Sequence, residues 1–108
     1  MREPKDLLEA KAAVMDALAS PVRIRVVEVI GSGEMCLSEI AEKLKVERTL
    51  LSRHLSRMER AGVLVSRKKG RKVLFRLGVP CVLSFLECAG EVVRARLERL
   101  NAVVGDEG

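Results

Sequence analysis

The chain has 108 residues, 48% apolar and 32% charged, which suits one globular domain with a modest core and excludes a cleft closed by a second domain. Its net charge of +5 is unevenly spread: Glu47 to Arg76 holds ten bases and two acids (+8), and the remainder holds ten bases and thirteen acids (−3). So local a cationic stretch points to a surface that sits on a polyanion.

Taken in order, Asp6 to Ala19 is predicted helical, with Leu7, Leu8, Val14, Met15 and Leu18 at roughly helical spacing. Ser20-Pro21 reads as an N-cap followed by proline at the first helical position, and the second helix runs to Ile30 before the glycines of Gly31-Ser32-Gly33. A third helix, Ser38 to Leu44, turns Ile40, Ala41 and Leu44 inward. A fourth, about Arg48 to Ala61, carries Leu51, Leu55 and Met58 on one face, so residues 38–61 form a helix-turn-helix. The period changes after Gly62. Leu64 to Arg67 and Val73 to Leu77 read as strands around the cationic turn Lys68-Lys69-Gly70-Arg71-Lys72, a hairpin wing over residues 62–77.

Pro80 opens a last helix to about Val104, apolar at Val82, Phe85, Leu86, Val92, Val93, Leu97 and Leu100, and Gly105 to Gly108 reads as a loose tail. That stripe exceeds what so small a core can bury, and the first helix shares the surplus. A second copy of the chain is therefore expected on residues 6–19 and 80–104. Residues 1–108 are thus predicted to be a single winged helix-turn-helix domain, mostly α with a small antiparallel β-hairpin, dimeric through its first and last helices. The run Leu77 to Gly90 is too short and too interrupted for a membrane span, and Met1 to Asp6 lacks the apolar core of a secretory signal. A cytoplasmic protein with no membrane partner is expected.

The run Ala17-Leu18-Ala19-Ser20-Pro21-Val22-Arg23-Ile24-Arg25, then Gly33-Glu34-Met35-Cys36-Leu37-Ser38-Glu39-Ile40-Ala41, resembles the arsenic-repressor (ArsR/SmtB) family of winged-helix regulators. The likeness continues through Leu51-Ser52-Arg53-His54-Leu55, Ala61-Gly62-Val63-Leu64, the basic wing and Phe75-Arg76-Leu77, covering about residues 6 to 90. It implies a homodimer, a fourth helix in the major groove of DNA, and repression relieved by an effector. Three features depart from the family pattern. Ser38 stands where metal-sensing members have the second of two cysteines, the last helix lacks their histidines, and Glu47 replaces the usual Ser at the cap of the fourth helix.

On the fourth helix, the face opposite Leu51, Leu55 and Met58 presents Arg48, Thr49, Ser52, Arg53 and Ser56. Arg48 and Arg53 suit two-pronged bonds to guanine, and the short hydroxyl side chains suit close approach to bases or backbone. His54 is read as a phosphate contact or a half-exposed polar residue, Arg57 as a phosphate contact, and Leu50 as packing or a thymine-methyl contact. In the wing, Arg67, Lys68, Lys69, Arg71 and Lys72 suit phosphate or minor-groove contact, or else the solubility of an edge strand. No cofactor is expected, and any small effector is unknown.

Cys36 stands at the third helix's cap position with Glu39 three residues on, Cys81 follows Pro80, and Cys88 lies seven residues further. These three thiols are either packing groups or the ligands of a soft-metal or redox sensor on the same scaffold. The leading reading is a dimeric repressor of double-stranded DNA, on an inverted-repeat operator with half-sites about one turn, or a multiple of it, apart. The thiol sensor and a winged-helix protein-interaction adaptor stand beside it. An enzyme is excluded by the single His, the absence of Tyr and Trp, and the lack of any nucleophile–base grouping.

Overall fold

The structure, a computed structural model, describes residues 4–107. Its elements run α1 (Pro4–Ala17), α2 (Pro21–Ile30), β1 (Met35–Cys36), α3 (Leu37–Leu44), α4 (Arg48–Arg60), β2 (Leu64–Lys69), β3 (Lys72–Leu77) and α5 (Cys81–Glu107). Each short helix begins where its sequence satisfies free backbone donors. Ser20 Oγ accepts the Arg23 N–H at 3.4 Å with Pro21 in the first turn of α2. The Glu39 carboxylate reaches back to accept the Cys36 N–H at 2.9 Å at the start of α3.

The apolar faces of α2, α3 and α4 meet in one core. Val26, Val27, Ile40, Leu51, Leu55, Met58 and Leu64 are each 1% exposed or less, and Val82 seats the first turn of α5 on the same cluster. Behind α4 the chain turns through Gly62 into β2, with the Val63 N–H donating to Met58 O at 2.9 Å. Gly78 closes the sheet against this turn: its N–H donates to Val63 O at 2.8 Å, and a Cβ there would lie 2.4 Å from Gly62 O.

Four features differ from the sequence-based expectation. The wing is a three-stranded antiparallel sheet in the order β1-β3-β2, because Met35 and Cys36 pair with Phe75 and Leu74. The hairpin turn shrinks to Gly70-Arg71, since Lys69 pairs with Lys72. Gly70 takes a φ of +63°, which glycine supplies freely at the first central position of a tight turn. Thus Lys68, Lys69 and Lys72 belong to strands. The first helix stops at Ala17 rather than Ala19, tightening into a turn in which the N–H groups of Leu18 and Ala19 donate to Met15 O and Asp16 O. Finally, α5 continues through Gly105 to Glu107 where a loose tail is expected, and Gly108 lies outside the described residues. Among the described residues no helix is long and apolar enough to cross a membrane.

Candidate nucleic-acid interface

The turn between α3 and α4 is three residues, Lys45 to Glu47, and Lys45 makes it with a left-handed φ of 57°. Glu47 then caps α4 with both oxygens: Oε2 accepts the Thr49 N–H at 2.8 Å and Oε1 the Leu50 N–H at 3.1 Å. These two backbone donors hold its carboxyl below the usual carboxylate range, with Arg53 adding a weaker attraction. The longer acid side chain therefore does the capping work expected of Ser, and α4 begins at Arg48.

With Leu51, Leu55 and Met58 locked in the core, α4 has one permitted rotation about its axis. Thr49, Ser52, Arg53 and Ser56 then share a solvent-facing sector of about 100°, Arg48 lies at its edge, and all five are exposed. Leu50 is also exposed, at 47%.

His54 faces another way, and Arg57, at the opposite edge of the sector from Arg48, is engaged within the protomer. His54 is half-buried and its Nδ1 lies 3.0 Å from Nη1 of Arg23, while Arg57 forms an ion pair with Asp16 of α1. Burial, and then the neighbouring Arg23 and Arg57, push the His54 pKa below the ordinary histidine value. Arg23 itself is 7% exposed, and sequence reasoning passed over it. Its Nε donates to Ala17 O at 2.7 Å and its Nη2 to Asp16 O at 3.2 Å, so the guanidinium satisfies carbonyls at the end of α1 while reaching α4. A signal was available. Arg23 lies four residues before Val27 and seven before Ile30, on the inward side of α2, where a charge must find partners.

The wing distributes its cations between its two faces. By the β2–β3 register, Ser66 and Lys68 share the side of Phe75 and Val73, while Arg67 and Lys69 share the side of Leu74 and Arg76. Arg67 is engaged: Nε and Nη2 donate to the two oxygens of Glu34, each at 2.7 Å. That fork holds the Glu34 carboxyl below its usual range, with Arg76 and Lys69 contributing at longer reach. Ser66 Oγ donates to Glu59 Oε2 at 2.5 Å, which ties the base of the wing to α4. Lys68, Lys69, Arg71 and Lys72 are all exposed.

The three thiols do not converge within a protomer. Cys36 is buried at the cap of α3, whereas Cys81 and Cys88 are exposed on α5, two helical turns and about 10 Å of axial rise apart. Among the described residues no group of three or more His, Cys, Asp or Glu side chains gathers as a metal ion would require.

A helix-turn-helix whose second helix is exposed along one polar face, followed by a tethered cationic hairpin, defines a winged helix-turn-helix protein. A family model described as a helix-turn-helix domain matches residues 18–67. The "HTH-type transcriptional repressor SmtB" of Mycobacterium tuberculosis is 38% identical over 74 residues, 68% of this chain and 55% of that protein. The chain thus spans about half the length of that relative. The "Uncharacterized HTH-type transcriptional regulator MJ1325" of Methanocaldococcus jannaschii is 30% identical over 57% of this chain and 71% of its own length. The solution structure of the homodimeric winged helix-turn-helix DNA-binding domain of Mb0332 from Mycobacterium bovis superposes with a TM-score of 0.79. It is 23% identical and 92% of each chain is covered. The chain belongs to the ArsR/SmtB family of winged helix-turn-helix transcription regulators. Its relatives carry the names of repressors and regulators, not of enzymes.

Proposed function

We propose that the chain is a sequence-specific, double-stranded-DNA-binding transcription regulator that acts as a homodimeric repressor on an inverted-repeat operator. The observation that carries this reading is the outward sector of α4, where Thr49, Ser52, Arg53 and Ser56 are exposed on a helix whose rotation is fixed by its buried face. In this reading α4 lies in the major groove, Arg48 and Arg53 read guanine edges, and the three hydroxyl residues approach bases or backbone. Lys68, Lys69, Arg71 and Lys72 contact phosphates beside it. Arg57 and Arg67 contribute less than their charge suggests, because Asp16 and Glu34 engage them within the protomer. Pairing of two copies is supported by exposed apolar side chains on the outer helices, among them Leu8 at 65%, Met15 at 51%, Val92 at 63% and Leu97 at 53%.

The test is a titration of a duplex selected from random sequence, followed over a range of salt. A dimer that neutralises about six phosphates loses roughly 10³-fold in affinity between 50 and 200 mM salt, and prefers the selected duplex over a scrambled one. Affinity indifferent to salt would favour a protein-interaction module instead.

A further inference from the structure

We propose that Arg23 and His54 form a strut that positions α4 against the end of α1, made only while the His54 imidazole is neutral, so that protonating His54 weakens DNA binding. The inference rests on the DNA-binding reading above and identifies residues that aim the reading helix without touching DNA.

Three elements meet at one guanidinium. Arg23 projects from α2, gives Nε and Nη2 to the carbonyls of Ala17 and Asp16 at 2.7 and 3.2 Å, and gives Nη1 to Nδ1 of His54 at 3.0 Å. Arginine has only donors, so Nδ1 of His54 must accept, and the neutral ring carries its proton on Nε2. In the imidazolium both nitrogens are donors. Protonation therefore sets an N–H against an N–H and brings one cation against another.

The charged groups around the ring work in the same direction. From α2 it faces Arg23, and along α4 it faces Arg57. From α1 the charged group beside this cluster is Asp16, whose carboxylate is engaged by Arg57. The strut is therefore intact at neutral pH and is lost as pH falls below the ordinary histidine range, the direction that the lowered pKa of His54 also gives. His54 is the chain's one histidine, so pH dependence between about 5 and 8 reads largely this residue.

The sign of the effect separates this role from direct contact. An imidazole touching DNA phosphate gains affinity on acidification, because its positive charge meets the polyanion. A strut loses affinity.

Anisotropy titrations of a selected duplex from pH 8 to pH 5, at constant ionic strength, are made with the wild type, His54→Asn and His54→Ala. Circular dichroism at each pH checks that the protein stays folded. Asparagine places a carboxamide oxygen near the position of Nδ1 and does not titrate. The wild type is expected to weaken by about three- to tenfold, the worth of one part-buried hydrogen bond. His54→Asn should hold near the neutral wild-type affinity throughout, and His54→Ala should be weak at every pH. Affinity that rises on acidification, stays flat in the wild type, or falls equally in His54→Asn overturns the proposal. If the wild type binds no duplex at any pH, the DNA-binding reading fails instead. In that event the ring's nitrogen NMR shifts still judge the strut: an unprotonated Nδ1 at neutral pH supports it and a protonated Nδ1 overturns it.

Discussion

Arg53 sits inside the exposed sector of α4, whereas Arg57, one turn later, is held by Asp16. The same residue type thus has two different prospects on one helix. Replacing Arg53 by Ala removes a candidate two-pronged base contact and is expected to cost about 1–3 kcal/mol of operator binding and to relax preference at one base pair. Arg57→Ala should cost less and leave preference unchanged, and competition titrations with single-base operator variants compare the two. Gly78 presents a steric limit of another kind. A methyl group there meets Gly62 O at 2.4 Å, which is backbone and cannot swing aside. Gly78→Ala should therefore destabilise the fold by about 1–3 kcal/mol, read as a lower urea midpoint at constant slope. Arg23 shows the limit of what one residue reveals: its inward position follows from helical spacing, but its partner His54 lies 31 positions away, and no local pattern announces that pairing.

At the scale of elements, helices announced themselves through caps and period. Ser20-Pro21 marked the start of α2, and the spacing of Leu51, Leu55 and Met58 marked the buried face of α4. The outward sector of α4 was legible for the same reason, because a buried face defines its opposite. β1 was not legible, since two residues carry no period and their pairing with Phe75 and Leu74 is decided some forty residues later. The wing's cations were legible as charge, but their division between two faces depends on the register that the short Gly70-Arg71 turn imposes. That division has a consequence. Lys69→Ala and Arg71→Ala should each lower the salt slope of DNA binding by about 1 without altering sequence preference, and Arg67→Ala, already engaged by Glu34, should lower it less. Acid should loosen the same joints. Glu34, Glu39 and Glu47 are held below their usual range by Arg67, by the Cys36 N–H and by the Thr49 and Leu50 N–H groups respectively. Groups with lowered pKa values contribute stability above the ordinary glutamate value and lose it as pH falls through their folded values. Urea midpoints should accordingly drop below about pH 4.5, and for the exposed Glu34–Arg67 fork the loss should shrink in high salt.

The molecule as a whole extends 62 × 40 × 23 Å, too long for the core it contains, and α5 accounts for the excess. Its 27 residues span about 40 Å, but only the first turns pack on the core, through Val82, Leu83 and Leu86. Beyond them Val93, Leu97 and Leu100 repeat at intervals of four and three residues with exposures of 56%, 53% and 52%. That spacing is a helix seam without a partner in its own chain, and the proposed dimer supplies one. Placing charge on the seam should separate assembly from folding, since these side chains take no part in the core around Leu51 and Met58. Val93→Glu with Leu97→Glu should give a helical monomer by sedimentation, with its wing and helix-turn-helix intact. Two linked reading heads bind far more tightly than one, by about 10²–10⁴-fold when the spacing fits. The double variant should therefore lose the inverted repeat by that order while its weak affinity for a single half-site is unchanged. A variant that remains dimeric would move the interface away from α5, and one that unfolds would mean that the far half of α5 supports the core through contacts the protomer alone does not display.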